Sequence, residues 1–188
     1  MPRVEDVLVV AATERELEGI ADARTLVCGI GPVEAALRTA RGLASRRPDA
    51  VLHVGIAGGR GLEPPALVLG SEAVYCDVID TSSTLPRVER VQPDEGLLAA
   101  ARAALPEAHV VPIATCGKVG GGSACDVEAM EGFGVLRAAE LAGVPAVELR
   151  AISNAPDEAD RARWRFAEAL AALRDSVPSV LAAFERLG

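Results

Sequence analysis

The chain has 188 residues and a formal net charge of -8, and half of its residues are hydrophobic although only 3% are aromatic. That length suits one domain, 1–188, with a core built mainly from Ala, Val and Leu packed between regular elements. The acidity speaks against a phosphate-backbone partner, so no nucleic acid is expected, and the first apolar run is far too short to span a bilayer, so no membrane is expected either.

Val7 to Ala12 is an apolar run of strand length, after which Thr13 stands as an N-cap before Glu14-Arg15-Glu16-Leu17, with Glu16 in the capping-box position. Thr25 to Cys28 reads as a second strand, Gly29-Ile30-Gly31 as a tight turn, and Pro32 as the first residue of a helix running to about Arg46. Val51 to Val54 is a third strand ending at Gly55-Ile56-Ala57-Gly58-Gly59. Ala66 to Thr81 reads as a long bent or paired strand around Gly70-Ser71. Asp94 to Leu105 and Gly132 to Ala142 are predicted helices, and His109 to Ala114 and Pro145 to Ile152 predicted strands. One or two closing helices follow from about Asp157 to Leu187, with a break or kink expected at Pro178.

Strands alternating with helices predict an α/β three-layer sandwich, its central twisted mixed sheet covered on both faces. Cys28, Cys76, Cys116 and Cys125 form no CxxC pair, and His53 and His109 lie inside apolar stretches. Buried, inert thiols are expected, with no disulfide framework and no zinc site. The first residues, Met1-Pro2-Arg3-Val4-Glu5-Asp6, carry two acids, and a cytoplasmic protein is expected.

Three familiar motifs fail on inspection. A dinucleotide fingerprint from Gly29 and Gly31 needs a third glycine where the chain has Glu34, a carboxylate that would repel pyrophosphate. In Gly117-Lys118-Val119-Gly120-Gly121-Gly122-Ser123 the lysine precedes the glycines, which rules out a Walker P-loop. A nucleophile elbow on Ser123 needs glycine where Cys125 stands.

What remains is a set of polar groups at strand ends: Glu16, Glu131 after Met130, and Ser153-Asn154. Ligands of open α/β sheets collect at the carboxyl ends of strands, so these places converge on one cleft. Each also has a purely structural reading: Glu16 as a helix cap, Glu131 at the positive end of a helix, Ser153-Asn154 as a turn.

The order Ala12-Thr13-Glu14-Arg15-Glu16-Leu17, Cys28-Gly29-Ile30-Gly31, Gly55-Ile56-Ala57-Gly58-Gly59, Met130-Glu131-Gly132 and Arg150-Ala151-Ile152-Ser153-Asn154 resembles successive motifs of the purine nucleoside phosphorylase and nucleosidase superfamily. Within it the chain looks most like the futalosine hydrolases of menaquinone biosynthesis, with the methylthioadenosine/S-adenosylhomocysteine nucleosidases close by. The resemblance implies a nucleoside hydrolase, a homodimer, and cleavage of a purine N-glycosidic bond without a metal or cofactor.

By this resemblance Glu16 orients and deprotonates the attacking water, Met130 and Glu131 hold the ribose, Ser153 and Asn154 hold the base, and Ile56, Ala57 and Gly58 line the cleft. Phosphorylases of the superfamily carry an arginine where this chain has His53, so hydrolysis is implied. The adenine-specific nucleosidases carry Asp where this chain has Asn154, whose amide suits a 6-oxopurine better than adenine. The segment from Thr115 to Glu128 is shorter than in the family, which leaves Cys116, Lys118, the glycine backbone or a partner subunit to cover the base. A methylthioadenosine nucleosidase and a non-catalytic nucleoside-binding homologue are the alternatives.

Overall fold

The computed structural model describes residues 6–21, 23–78, 86–120 and 122–187. Strands β1 (Val7–Ala11) and β3 (Ala50–Gly59) lie side by side, and their side chains alternate between the two faces of the sheet. Val7, Val9, Ala11, Ala50, Leu52 and Val54 face a cluster shared with helices α3 (Glu95–Ala104) and α5 (Phe166–Phe184). Leu8, Val10 and Val51 face the opposite cluster, shared with α2 (Pro32–Ser45) and α4 (Gly132–Leu141). The expected three layers follow from that alternation, because a sheet apolar on both faces must be covered on both.

The pairing is mixed. β1 runs parallel to β2 (Arg24–Val27) and to β3, and β3 runs parallel to β8 (Ala146–Asn154). β8 pairs antiparallel with β4 (Leu67–Tyr75), which runs parallel to β6 (His109–Thr115). β6 then pairs parallel with β7 (Val127–Ala129), and β7 returns antiparallel onto Gly58 and Gly59 at the end of β3. Five strands therefore close a ring around a small cluster of Ala57, Val68, Ile113, Val127, Ala129 and Ile152. β5 (Arg90–Val91) adds to β4.

Several sequence expectations need correction. β3 does not stop at Val54 but runs on to Gly59, still paired with β8. Glycine is required there because Cβ atoms at 55 and 59 would collide with Arg150 and Ile152, residues of the neighbouring strand. The stretch from Ala66 is one strand, β4, with an irregularity between Gly70 and Glu72, and its expected end at Thr81 lies outside the described residues, as do Met1 to Glu5 and Gly121. Ser153 and Asn154 are the last residues of β8 rather than a turn.

α5 runs through Pro178 without a break. The proline costs about 3 kcal/mol. Ala169, Leu173, Val177, Val180 and Phe184, all buried on one face of that helix, each return about 1.5–3 kcal/mol when large and apolar, and that sum outweighs the lost hydrogen bond. Only a short 3-10 turn, Arg161–Arg163, precedes α5.

Candidate active site

A cavity of about 410 Å³ opens where β1, β3, β7 and β8 end. It is lined by every residue singled out by the sequence: Glu16, Ile56, Ala57, Gly58, Met130, Glu131, Ser153 and Asn154. These come from strand ends far apart in the chain, brought side by side by the parallel register of β1, β3 and β8.

Glu16 lies in α1 (Glu14–Leu17). Its Oε2 accepts from the Thr13 amide at 3.0 Å and the Thr13 hydroxyl at 2.9 Å, and its Oε1 accepts from the Ile56 amide at 3.1 Å. The capping role read from the sequence and the place in the cavity are therefore one arrangement: the bonds that cap the helix also fix the carboxylate. Oε1 keeps a lone pair for a further donor.

Glu131 stands at the N-terminus of α4, but its carboxylate does not cap that helix. Oε1 accepts from the Gly31 amide at 3.1 Å. Gly31 has φ 91°, a left-handed conformation that favours glycine, and this turns its N–H toward the carboxylate. The glycine turn that fails as a dinucleotide fingerprint is thus a backbone donor to Glu131. Burial pushes the Glu131 pKa up, against the pull of Arg150 and the Gly31 amide.

Ser153 and Asn154 line the same cavity: Ser153 Oγ donates to Asn154 Oδ1 at 2.7 Å, and Asn154 Nδ2 donates to the Ala155 carbonyl at 2.8 Å. A backbone carbonyl only accepts, so the amide nitrogen must face Ala155, and this sets the orientation of the side chain. One Nδ2 proton remains for a ligand.

A model of the phosphorylase superfamily matches residues 22–187. The chain belongs to the phosphorylase superfamily. It is similar to the futalosine hydrolase of Streptomyces coelicolor, with 37% identity over 179 residues covering 81% of this chain and 75% of that protein. Among solved structures, S-adenosylhomocysteine nucleosidase from Streptococcus pyogenes in complex with 5-methylthiotubericidin superposes with a TM-score of 0.85 at 20% identity, covering 100% of this chain and 99% of the other. A futalosine hydrolase mutant of Helicobacter pylori superposes with a TM-score of 0.82 at 19% identity, covering 95% and 99%. At those identities the two structures establish the shared nucleosidase fold.

In this phosphorylase-superfamily chain several cavity residues were not singled out by the sequence. Trp164, Phe166 and Leu170 form an apolar wall that follows β8, with Arg161 5.6 Å above the Trp164 ring. The Trp164 indole donates to the Glu158 carbonyl at 3.0 Å, which fixes the ring. The signal available was scarcity: with one Trp and three Phe in the chain, two aromatics within three residues of a charged stretch mark a special surface.

The glycine-rich segment contributes Lys118, Val119 and Gly120 to the lining, whereas Cys116 is buried and does not line it. That segment is tied down by Glu128, whose Oε1 accepts from Ser123 Oγ at 2.9 Å, the Ser123 amide at 3.2 Å and Arg60 Nη2 at 2.6 Å.

The cysteines divide. Cys28 and Cys116 are buried as expected, and burial first of all pushes each thiol up to about 12, so neither is a nucleophile at neutral pH. Cys76 and Cys125 are only half-buried. His109 is exposed, while His53 is fully buried. Among the described residues no group of three or more His, Cys, Asp or Glu side chains is placed to hold a metal ion.

Proposed function

We propose that this protein hydrolyses the N-glycosidic bond of futalosine, releasing hypoxanthine and dehypoxanthine futalosine, as a step in menaquinone biosynthesis. The observation that carries the reading is the pair Glu16 and Glu131 on one cavity, with Ser153-Asn154 at the same opening, in a chain 37% identical to a futalosine hydrolase.

Cleavage of this bond develops positive charge on the ribose and negative charge on the departing purine. Glu16, held by Thr13 and Ile56, takes a proton from water through its remaining Oε1 lone pair. Glu131, beside Met130, accepts from the ribose hydroxyls, and both carboxylates act where positive charge grows. The free Nδ2 proton of Asn154 donates to the 6-oxo group of the base, and Oδ1 keeps a lone pair for a protonated N7. Ile56, Ala57 and Gly58 shape the floor. Gly58 leaves close room here, since a Cβ would lie 3.4 Å from Asn154 Nδ2 and 3.3 Å from Pro156.

The whole chain, 1–188, acts as one nucleoside hydrolase domain in the cytoplasm, as a homodimer. Ile30, Val33 and Leu37, exposed at 62%, 66% and 64% on and before the first turns of α2, supply an apolar face for a second copy, and Ile30 also lines the cavity. The structural likeness to methylthioadenosine/S-adenosylhomocysteine nucleosidases supports a second reading, adenine release from methylthioadenosine.

The test is incubation with futalosine, inosine and methylthioadenosine, each with and without phosphate. Hypoxanthine should appear from futalosine without phosphate dependence. Adenine released from methylthioadenosine at comparable efficiency supports the second reading, and nucleoside binding without turnover identifies a non-catalytic homologue.

A further inference from the structure

Behind Glu131 lies a fully buried group that does not line the cavity: Arg150, Glu148 and His53. Arg150 Nε donates to Glu148 Oε1 at 2.7 Å, Nη2 to His53 Nε2 at 2.5 Å and Nη1 to the Ile56 carbonyl at 3.4 Å. His53 is able to accept because its Nδ1 faces the Val10 carbonyl at 2.9 Å. A carbonyl only accepts, so Nδ1 carries the proton and Nε2 the lone pair.

Glu131 is treated differently. Its Oε2 lies 3.6 Å from Arg150 Nη2, an ion pair but beyond the usual hydrogen-bond length, while its Oε1 is taken by Gly31. A guanidinium free to choose closes on a carboxylate through two parallel bonds. Here Glu148 occupies the Nε edge and His53 draws Nη2 toward β3.

We propose that Glu148 and His53 are positioning residues that hold Arg150 off Glu131, so that Glu131 Oε2 stays free to accept from a ribose hydroxyl of the substrate. The identity of the ligand as a nucleoside rests on the function proposed above. Two further observations support the role. Glu148 Oε2 is buried without a hydrogen-bond partner, a costly arrangement for which a packed apolar residue would serve stability as well or better. The backbone is also shaped for it: a Cβ on Gly132, the residue after Glu131, would overlap both carboxylate oxygens of Glu148.

The test compares substrates across variants of the full chain. With the wild-type protein, removing the 2′ or 3′ hydroxyl from futalosine should lower kcat/KM by about tenfold or more, the loss of one bond to a charged acceptor. In Glu148→Gln the Arg150 guanidinium is released toward Glu131. KM for futalosine should rise about tenfold with a smaller change in kcat, and the deoxy penalty should shrink to within about threefold, because that acceptor is already lost.

Equal losses on both substrates with the penalty unchanged overturn the proposal, since a merely structural defect does not distinguish them. His53→Leu is the second variant, with the same shrinkage expected, and serves if Glu148→Gln does not fold. A nucleoside-bound structure of the wild type with Arg150 bonded to Glu131 Oε2 overturns the proposal without any variant. If the wild type does not cleave futalosine, the proposed function fails instead. The comparison is then made by calorimetric binding of inosine and its 2′-deoxy counterpart, where an unchanged penalty still overturns the positioning role and no binding overturns both.

Discussion

Gly55 lies flush against Arg150: a Cβ at this position would overlap the Arg150 Nη1 and stand 2.9 Å from Glu16 Oε1. The glycine of β3 thus separates the buried cation from Glu16, one of the carboxylates of the cavity. Gly55→Ala should displace one or both, lowering stability by about 1–3 kcal/mol, as overpacking does. Nucleoside cleavage should fall by about tenfold or more, because a small misplacement of the groups at a site is enough to cost that much rate. Thermal midpoints and initial rates check both.

Glu16→Gln removes the proton acceptor while leaving a side chain of the same shape against Thr13 and Ile56. Turnover should fall by about 10²–10⁴-fold. The dissociation constant for a nucleoside, read by calorimetry, should stay within about threefold of the wild type if water activation is the main role of this residue. Normal activity in this variant would show that the assignment is wrong.

Asn154→Asp replaces the Nδ2 donor, which faces the Ala155 carbonyl, with an acceptor, in a side chain whose Oδ1 is held by Ser153. An Asp carboxylate accepts from a 6-amino group and repels a 6-oxo group. The ratio of kcat/KM for futalosine to that for methylthioadenosine should drop by about tenfold or more, the scale set by unpaired buried polar groups. An unchanged ratio would dissociate this residue from base choice.

His53 gives the stability of the protein a distinct pH dependence. Burial, reinforced by the Arg150 charge, holds its pKa well below the ordinary 6.5, so below that pH the unfolded chain binds a proton that the folded chain does not. This contribution is present above pH 6.5 and is lost progressively as pH falls below it. Glu131 and Glu148 work in the opposite sense: burial raises both against the pull of Arg150, so their contribution grows on acidification. Denaturant titrations at pH 7 and pH 5 should therefore show a shallower loss in His53→Gln than in the wild type. An equal or steeper loss would mean that His53 is protonated in the fold.

Much of the architecture was legible because it is written at short range. The apolar runs from Val7 and from Pro145, the Pro32 helix start and the helical stretch from Asp94 each declare themselves within a few residues, and the structure has β1, β8, α2 and α3 close to those places. β5 and β7, two and three residues long, are too short to show a period and exist only because longer strands supply their partners. The break allowed for at Pro178 is absent for a related reason: the local rule against proline was overridden by the buried face of α5.

The site divides along the same line. By itself the sequence determined the strand-helix order and eight of the residues that line the cleft, since Glu16, Met130-Glu131 and Ser153-Asn154 sit beside strand ends, and strand ends are where such sheets open. Only the tertiary structure decided what those residues touch. Gly31 and Glu131 are 100 residues apart, and His53 and Arg150 are 97 apart. No periodicity or local motif spans such distances, and only the packing of β1, β3 and β8 determines that a buried histidine, a buried glutamate and a half-engaged carboxylate share one arginine.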